Sequence, residues 1–138
     1  MPVTHVPVTI ADASTYTLLE ENSGLVHYIP DLSQDITITP PTPKAGLWYE
    51  FAYTGAAADA SDWIIDTGSN TNYFKGGVLY VDDNPTADAI HSDGNSNSKF
   101  SVLTPEAGTR VRIECADDVT WNVSGFVASL NAPTFGDQ

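Results

Sequence analysis

Few residues of this chain have the type and spacing to do chemistry. The sharpest set is Asp66-Thr67-Gly68-Ser69, which follows the apolar run Trp63-Ile64-Ile65. A carboxylate at the tip of such a loop, fixed by a glycine and a hydroxyl residue, is half of a pair in which two carboxylates share one proton. The chain has one such tripeptide, so the pair would need a second copy. The alternative is that Asp66 accepts from backbone N–H groups and simply starts a turn. A second set, Asp93-Gly94-Asn95-Ser96-Asn97, has the oxygen spacing of the start of a calcium loop, with Asp82, Asp83 and Asp88 nearby. Thr104 stands where such a loop closes with Glu, which favours a solvated acidic loop held by Asx turns. His5, His27 and His91 have no His or Cys at ligand spacing, which argues against zinc. Cys115 falls beside Val111 and Ile113 and reads as a small buried hydrophobe. Trp48, Trp63 and Trp121 stand on separate strands. They fit a core better than a sugar-stacking platform, although Trp48 falls on the face opposite Tyr49 and Phe51. No metal and no cofactor is expected.

Composition narrows the partners. The 138 residues carry five Lys and Arg against 18 Asp and Glu, a net charge of −13. Binding to nucleic acid needs clustered cations, and an anionic membrane surface needs them equally, so neither is an expected partner. Such a charge favours solubility and mutual repulsion. A single cysteine allows no internal disulfide. There is no apolar run of membrane-span length, and Met1-Pro2-Val3-Thr4 does not read as a signal peptide, so folding in a cytoplasm is the expectation.

The elements that must position these residues are short strands. Leu25 to Ile29, Asp35 to Thr39, Leu47 to Tyr53, Phe100 to Val102, and Thr109 to Cys115 alternate or run apolar between turn residues. Trp63 to Ile65 and Val78 to Val81, around a Gly/Asn/Ser turn, read as a hairpin or tight strand pair. Asp82 to Lys99 reads as a long surface loop with a short pairing near Ala89-Ile90, and Gly125 as a bulge. Pro2 and Pro7 restrict Met1 to Ile10 to an edge strand or an extended arm. About nine or ten strands without a long helix predict an all-β single domain, an antiparallel β-sandwich or barrel of jelly-roll or β-tulip type. The expected divisions are an N-terminal arm at 1–15, the β domain at 16–130 and a loose or partner-docked tail at 131–138.

Two resemblances bear on function. Asp66-Thr67-Gly68-Ser69 behind an apolar strand resembles the active-site loop of a retroviral-type aspartic protease. That resemblance implies a homodimer, a downstream apolar-apolar-Gly segment and a Gly-rich flap. Val123-Ser124-Gly125, with a polar residue before its glycine, and Gly76-Gly77 match those parts poorly. The second resemblance spans about residues 15–130. It rests on Tyr16 to Gly24, Asp35-Ile36-Thr37-Ile38-Thr39-Pro40, Ala45 to Phe51, Asp62 to Ile65, Gly76-Gly77-Val78, Gly108 to Arg112 and Trp121 to Gly125. This succession is similar to small β-rich capsid decoration, or cement, proteins of tailed bacteriophages. It implies a non-enzymatic homotrimer on the outer surface of the virion, bound to the major capsid protein and stabilising the head. On that reading the arm residues Val3, Thr4, Val6, Val8 and Ile10 would contact the capsid or a neighbouring protomer, and the arm could be removed without loss of the fold. The aspartic protease and a carbohydrate-binding virion module are the alternatives.

Overall fold

The computed structural model describes residues 6–82 and 87–138. Val3, Thr4, His5, Asp83 and Pro85 lie outside the described residues. Among the described residues twelve strands form: β1 (Val8–Thr9), β2 (Thr15–Thr17), β3 (Val26–Ile29), β4 (Ile36–Thr39), β5 (Trp48–Tyr53), β6 (Trp63–Asp66), β7 (Phe74–Val81), β8 (Ala87–His91), β9 (Lys99–Val102), β10 (Arg110–Glu114), β11 (Trp121–Ala128) and β12 (Thr134–Gly136). A 3-10 turn covers Glu20–Asn22. Two sheets pack face to face, ordered β1-β3-β5-β10-β11-β7-β8 and β12-β9-β6-β4-β2. The protein is therefore an all-β sandwich.

Both sheets are mixed, and the reason lies in how the chain travels. From β1 to β6 it switches sheet at every step, so each return lands beside the previous strand of that sheet, pointing the same way. β1-β3-β5 and β2-β4-β6 are accordingly parallel series. Parallel neighbours need a crossover of a dozen or more residues, and here a strand of the opposite sheet supplies it. Antiparallel hairpins join β7 to β8 and β10 to β11. The expected hairpin between β6 and β7 does not form. β6 pairs with β4 and β9, whereas β7 pairs with β11 and β8, so residues 67–73 arch from one sheet to the other. Both strands still bury their apolar residues, since Trp63 and Ile65 share one core cluster with Phe74, Val78 and Tyr80 of the other layer.

The core follows strand periodicity. Tyr49 and Phe51 on β5, Val111 and Ile113 on β10, and Trp121 and Val127 on β11 are fully buried against Ile36, Ile38, Trp63 and Phe100 of the facing sheet. Cys115 lies in the same core, where burial pushes its thiol up to about 11. Gly125 marks a distortion without an inserted residue. Its register with β10 runs unbroken from Arg110↔Phe126 to Glu114↔Asn122, while the ladder to β7 lapses between Val123↔Gly76 and Phe126↔Leu79 and resumes at the same offset. Gly125 has φ of 145°, and a Cβ there would stand 2.3 Å from the Arg110 carbonyl oxygen, so glycine is required. The C-terminal tail is not loose: β12 pairs with β9, and Phe135 stacks on Phe100 at 4.5 Å between centroids.

Carboxylates tie the loops at the end of the sandwich that follows β3 and β5. Asp59, buried, accepts from the backbone N–H of Leu32 at 2.9 Å and of Ser61 at 3.1 Å. Asp62 accepts from Thr104 at 2.8 Å, Asp35 from Asp62 at 2.9 Å and Asp12 from Ser33 at 3.0 Å. The Tyr53 hydroxyl donates to Asp31, which together with the Ala56 N–H holds the Asp31 carboxyl below its ordinary range.

Candidate interaction face

The chemistry-bearing sets of the sequence are spread apart by the fold. Asp66 closes β6, and its Oδ1 accepts from the Gly68 N–H at 2.9 Å. The Thr67 hydroxyl donates to the Ser69 carbonyl at 3.0 Å. This is an Asx turn. Val123-Ser124-Gly125 lies within β11 and Gly76-Gly77 within β7, both paired strands of the other sheet, so neither completes the Asp66 loop nor forms a flap over it. Asp93 is likewise engaged in a turn. It accepts from the N–H groups of Asn95 at 2.9 Å and Ser96 at 3.2 Å, and these bonds lower its pKa. Among the described residues no three or more His, Cys, Asp or Glu gather as a metal set. Trp63 and Trp121 are fully buried, so the three tryptophans form no platform.

The arm residues part company. Val6 is 82% exposed and lines a groove of about 380 Å3 with Pro7, Gly24, Val26, Tyr28 and Trp48. Val8 is half-buried in β1, opposite His27. Ile10 is fully buried in the core, with its N–H donated to the Tyr28 carbonyl at 2.8 Å. The expectation that Ile10 contacts a partner is corrected: Val6 is exposed and Val8 half-buried, but the chain turns Ile10 into its own core. Removal of the arm through Ile10 would take core with it.

One surface stands out from its surroundings: the outer face of the seven-stranded sheet. Alternation sends Trp48 and Glu50 of β5 outward, as it does Arg110, Arg112 and Glu114 of β10. Register then assembles them into rows across neighbouring strands. One row runs Tyr28, Ala52, Arg110, Phe126, Leu79, Ala89. The next holds Val26, Glu50, Arg112 and Ser124, and the third Trp48, Glu114, Asn122 and Lys75. Arg110 pairs with Glu50 at 2.6 Å, which raises the Arg110 pKa further. The Arg112 guanidinium lies 4.0 Å from the centre of the Trp48 ring, a cation–π stack, and 3.3 Å from Glu114. Leu79 is 49% and Phe126 37% exposed beside these charges. A second hollow on this face is lined by Glu50, Arg110, Arg112, Ser124, Gly125 and Phe126.

Lys75, Arg110 and Arg112 are three of the chain's five cations. Among the described residues, Glu50 and Glu114 are the carboxylates in those rows. The face is thus mildly positive and apolar on a strongly negative molecule. Sequence alternation already set Arg110, Arg112 and Glu114 apart from the core; their union with Tyr28, Phe126 and Leu79 depends on a strand order that alternation does not carry. The chain matches no protein-family model, no curated protein and no solved structure.

Proposed function

We propose that this chain is a non-enzymatic structural protein that coats the outer surface of a tailed-phage capsid as a homotrimer and stabilises the head. One observation supports a binding role above all: the concentration of cations, aromatic rings and exposed apolar side chains on the outer face of the seven-stranded sheet. Aromatic and arginine side chains are what protein-binding patches enrich. The choice of a capsid as the partner rests on the ordered succession of strand phrases over residues 15–130. A net charge of −13 suits a protein displayed densely on a particle without clumping. The engagement of Asp66 and Asp93 in their own turns weighs against the protease and calcium alternatives.

The test is sedimentation of purified protein with empty heads from the source of this sequence. The protein should pellet with the heads and saturate at a fixed ratio to the major capsid protein. Protein that stays in the supernatant at every ratio would overturn the reading. Carbohydrate binding is the second reading, favoured by Trp48 and Tyr28 sharing the groove beside Val6. It predicts saturable binding to glycans that Trp48→Ala abolishes.

A further inference from the structure

We infer that the outer face of the seven-stranded sheet is the surface on which a second copy of this chain docks, presenting the carboxylate-rich loop end of its sandwich. The inference rests on the homotrimer reading above and adds the surface that builds it. Charge carries the first part of the argument. Lys75, Arg110 and Arg112 stand on this face, and the remaining cations, Lys44 and Lys99, lie elsewhere among a large excess of carboxylates. The loop end bearing Asp12, Asp31, Asp35 and Asp62 has no Lys or Arg in its loops at 11–14, 30–35 and 54–62. The most complementary partner for one copy's face is therefore another copy's loop end.

Geometry carries the second part. A two-fold contact would set one mildly positive face against another, whereas a face-to-end contact is heterologous and closes into a ring when its rotation allows. Seven strands at a spacing of about 4.8 Å span about 30 Å. That is the breadth of a patch of roughly 800 Å2, the usual share of one partner in a stable interface. Phe126 and Leu79 stand side by side in their row, next to Arg110, and supply the apolar anchor that does most for affinity beside charged neighbours. The edge strand β8 is not an equal route to assembly. The outward N–H of Ala89 is taken by the Asp88 carboxylate at 2.8 Å, which blunts strand-to-strand pairing there.

The experiment is sedimentation velocity on the full chain and on Phe126→Asp, Leu79→Asp and Lys75→Glu. Leu130→Asp serves as control, since Leu130 is 63% exposed in the loop after β11 and off this face. Far-ultraviolet circular dichroism and melting verify the fold of each variant. Phe126→Asp and Leu79→Asp should weaken association about 100-fold or more, so that the three-chain species becomes a single chain. Lys75→Glu should weaken it less, and Leu130→Asp should leave it unchanged. If the wild-type chain sediments as three copies and the folded face variants do too, the docking surface is wrong and the homotrimer stands. If the wild-type chain sediments as one copy, the homotrimer reading itself fails.

Discussion

Gly125 offers the most quantitative test of the fold that shapes the interaction face. Replacing it by Ala places a Cβ 2.3 Å from the Arg110 carbonyl oxygen and 2.9 Å from the Val111 Cα, both backbone atoms that no side-chain rotation can clear. β10 must recede by several tenths of an ångström, which weakens the ladder at Arg110↔Phe126 and Arg112↔Ser124. Two compromised bonds at about 1 kcal/mol each, plus about 1–2 kcal/mol for an alanine at this φ, give a cost of roughly 3–4 kcal/mol. Two other glycines separate the causes. Gly108 has φ of 97° with no atom within 4 Å of a Cβ, so Gly108→Ala carries conformational strain alone, about 1 kcal/mol, partly offset by a stiffer unfolded chain. Gly136 has open space and no such φ, and Gly136→Ala should be neutral or slightly stabilising. Urea unfolding followed by tryptophan fluorescence reads the series. With a slope of about 1.5 kcal/mol per molar, the midpoint of Gly125→Ala should fall by about 2 M, and that of Gly136→Ala should not fall. Equal midpoints for Gly125→Ala and Gly108→Ala would refute the steric account of the β10–β11 contact.

Other outcomes follow from single side chains. His27 is fully buried with Nδ1 3.1 Å from the Leu25 carbonyl, so Nδ1 carries the hydrogen; Nε2 has no protein partner, and the rings of Tyr16, Tyr49 and Phe51 surround it. Burial lowers the His27 pKa, the Leu25 carbonyl opposing it, so the contribution of neutral His27 is whole above pH 6.5 and is lost as pH falls through 6.5 towards the lower folded value. The melting temperature of the wild type should therefore drop between pH 7 and 5 more than that of His27→Phe, and parallel curves would contradict this. The lowered carboxyls of Asp31, Asp93 and Asp117 act in a separate window, their stabilisation being lost as pH falls below 3.8. Asp59→Ala strips two buried N–H donors of their acceptor and should cost about 2–4 kcal/mol in urea unfolding, with Asp59→Asn costing less. Ile10→Ala should cost about 2–4 kcal/mol, whereas Val6→Ala should leave the unfolding midpoint where it is. Asp66→Asn should change neither oligomeric mass nor any peptide-cleaving activity at acid pH; cleavage by the wild type that the variant lacks would revive the protease reading.

Much of the fold was legible because strand periodicity is a local signal. Val111, Ile113 and Cys115 against Arg110, Arg112 and Glu114 could be assigned to two faces from the sequence, and the structure places them so. Phe100 and Val102 behaved in the same way. What failed was which strand lies beside which. The segment 67–73 has turn residues that suit a hairpin and an inter-sheet arch alike, and the decision rests on where Trp63 and Phe74 find partners far along the chain. The antiparallel expectation failed for the same reason, since parallel neighbours such as β3 and β5 arise only because β4 crosses to the other layer between them. Ile10 misled because an alternating stripe reveals a side, not whether that side is solvent or core. The interaction face was legible only as fragments, with Trp48 and the two arginines recognisably outward and Tyr28, Leu79 and Phe126 joined to them by register alone.

Electron cryomicroscopy of heads from the source of this sequence tests the central claim most directly. The account predicts three-fold density on the outer surface, each lobe fitted by one sandwich, with Phe126 and Leu79 facing the neighbouring lobe. Bare heads, or single isolated lobes in place of trimers, would contradict it.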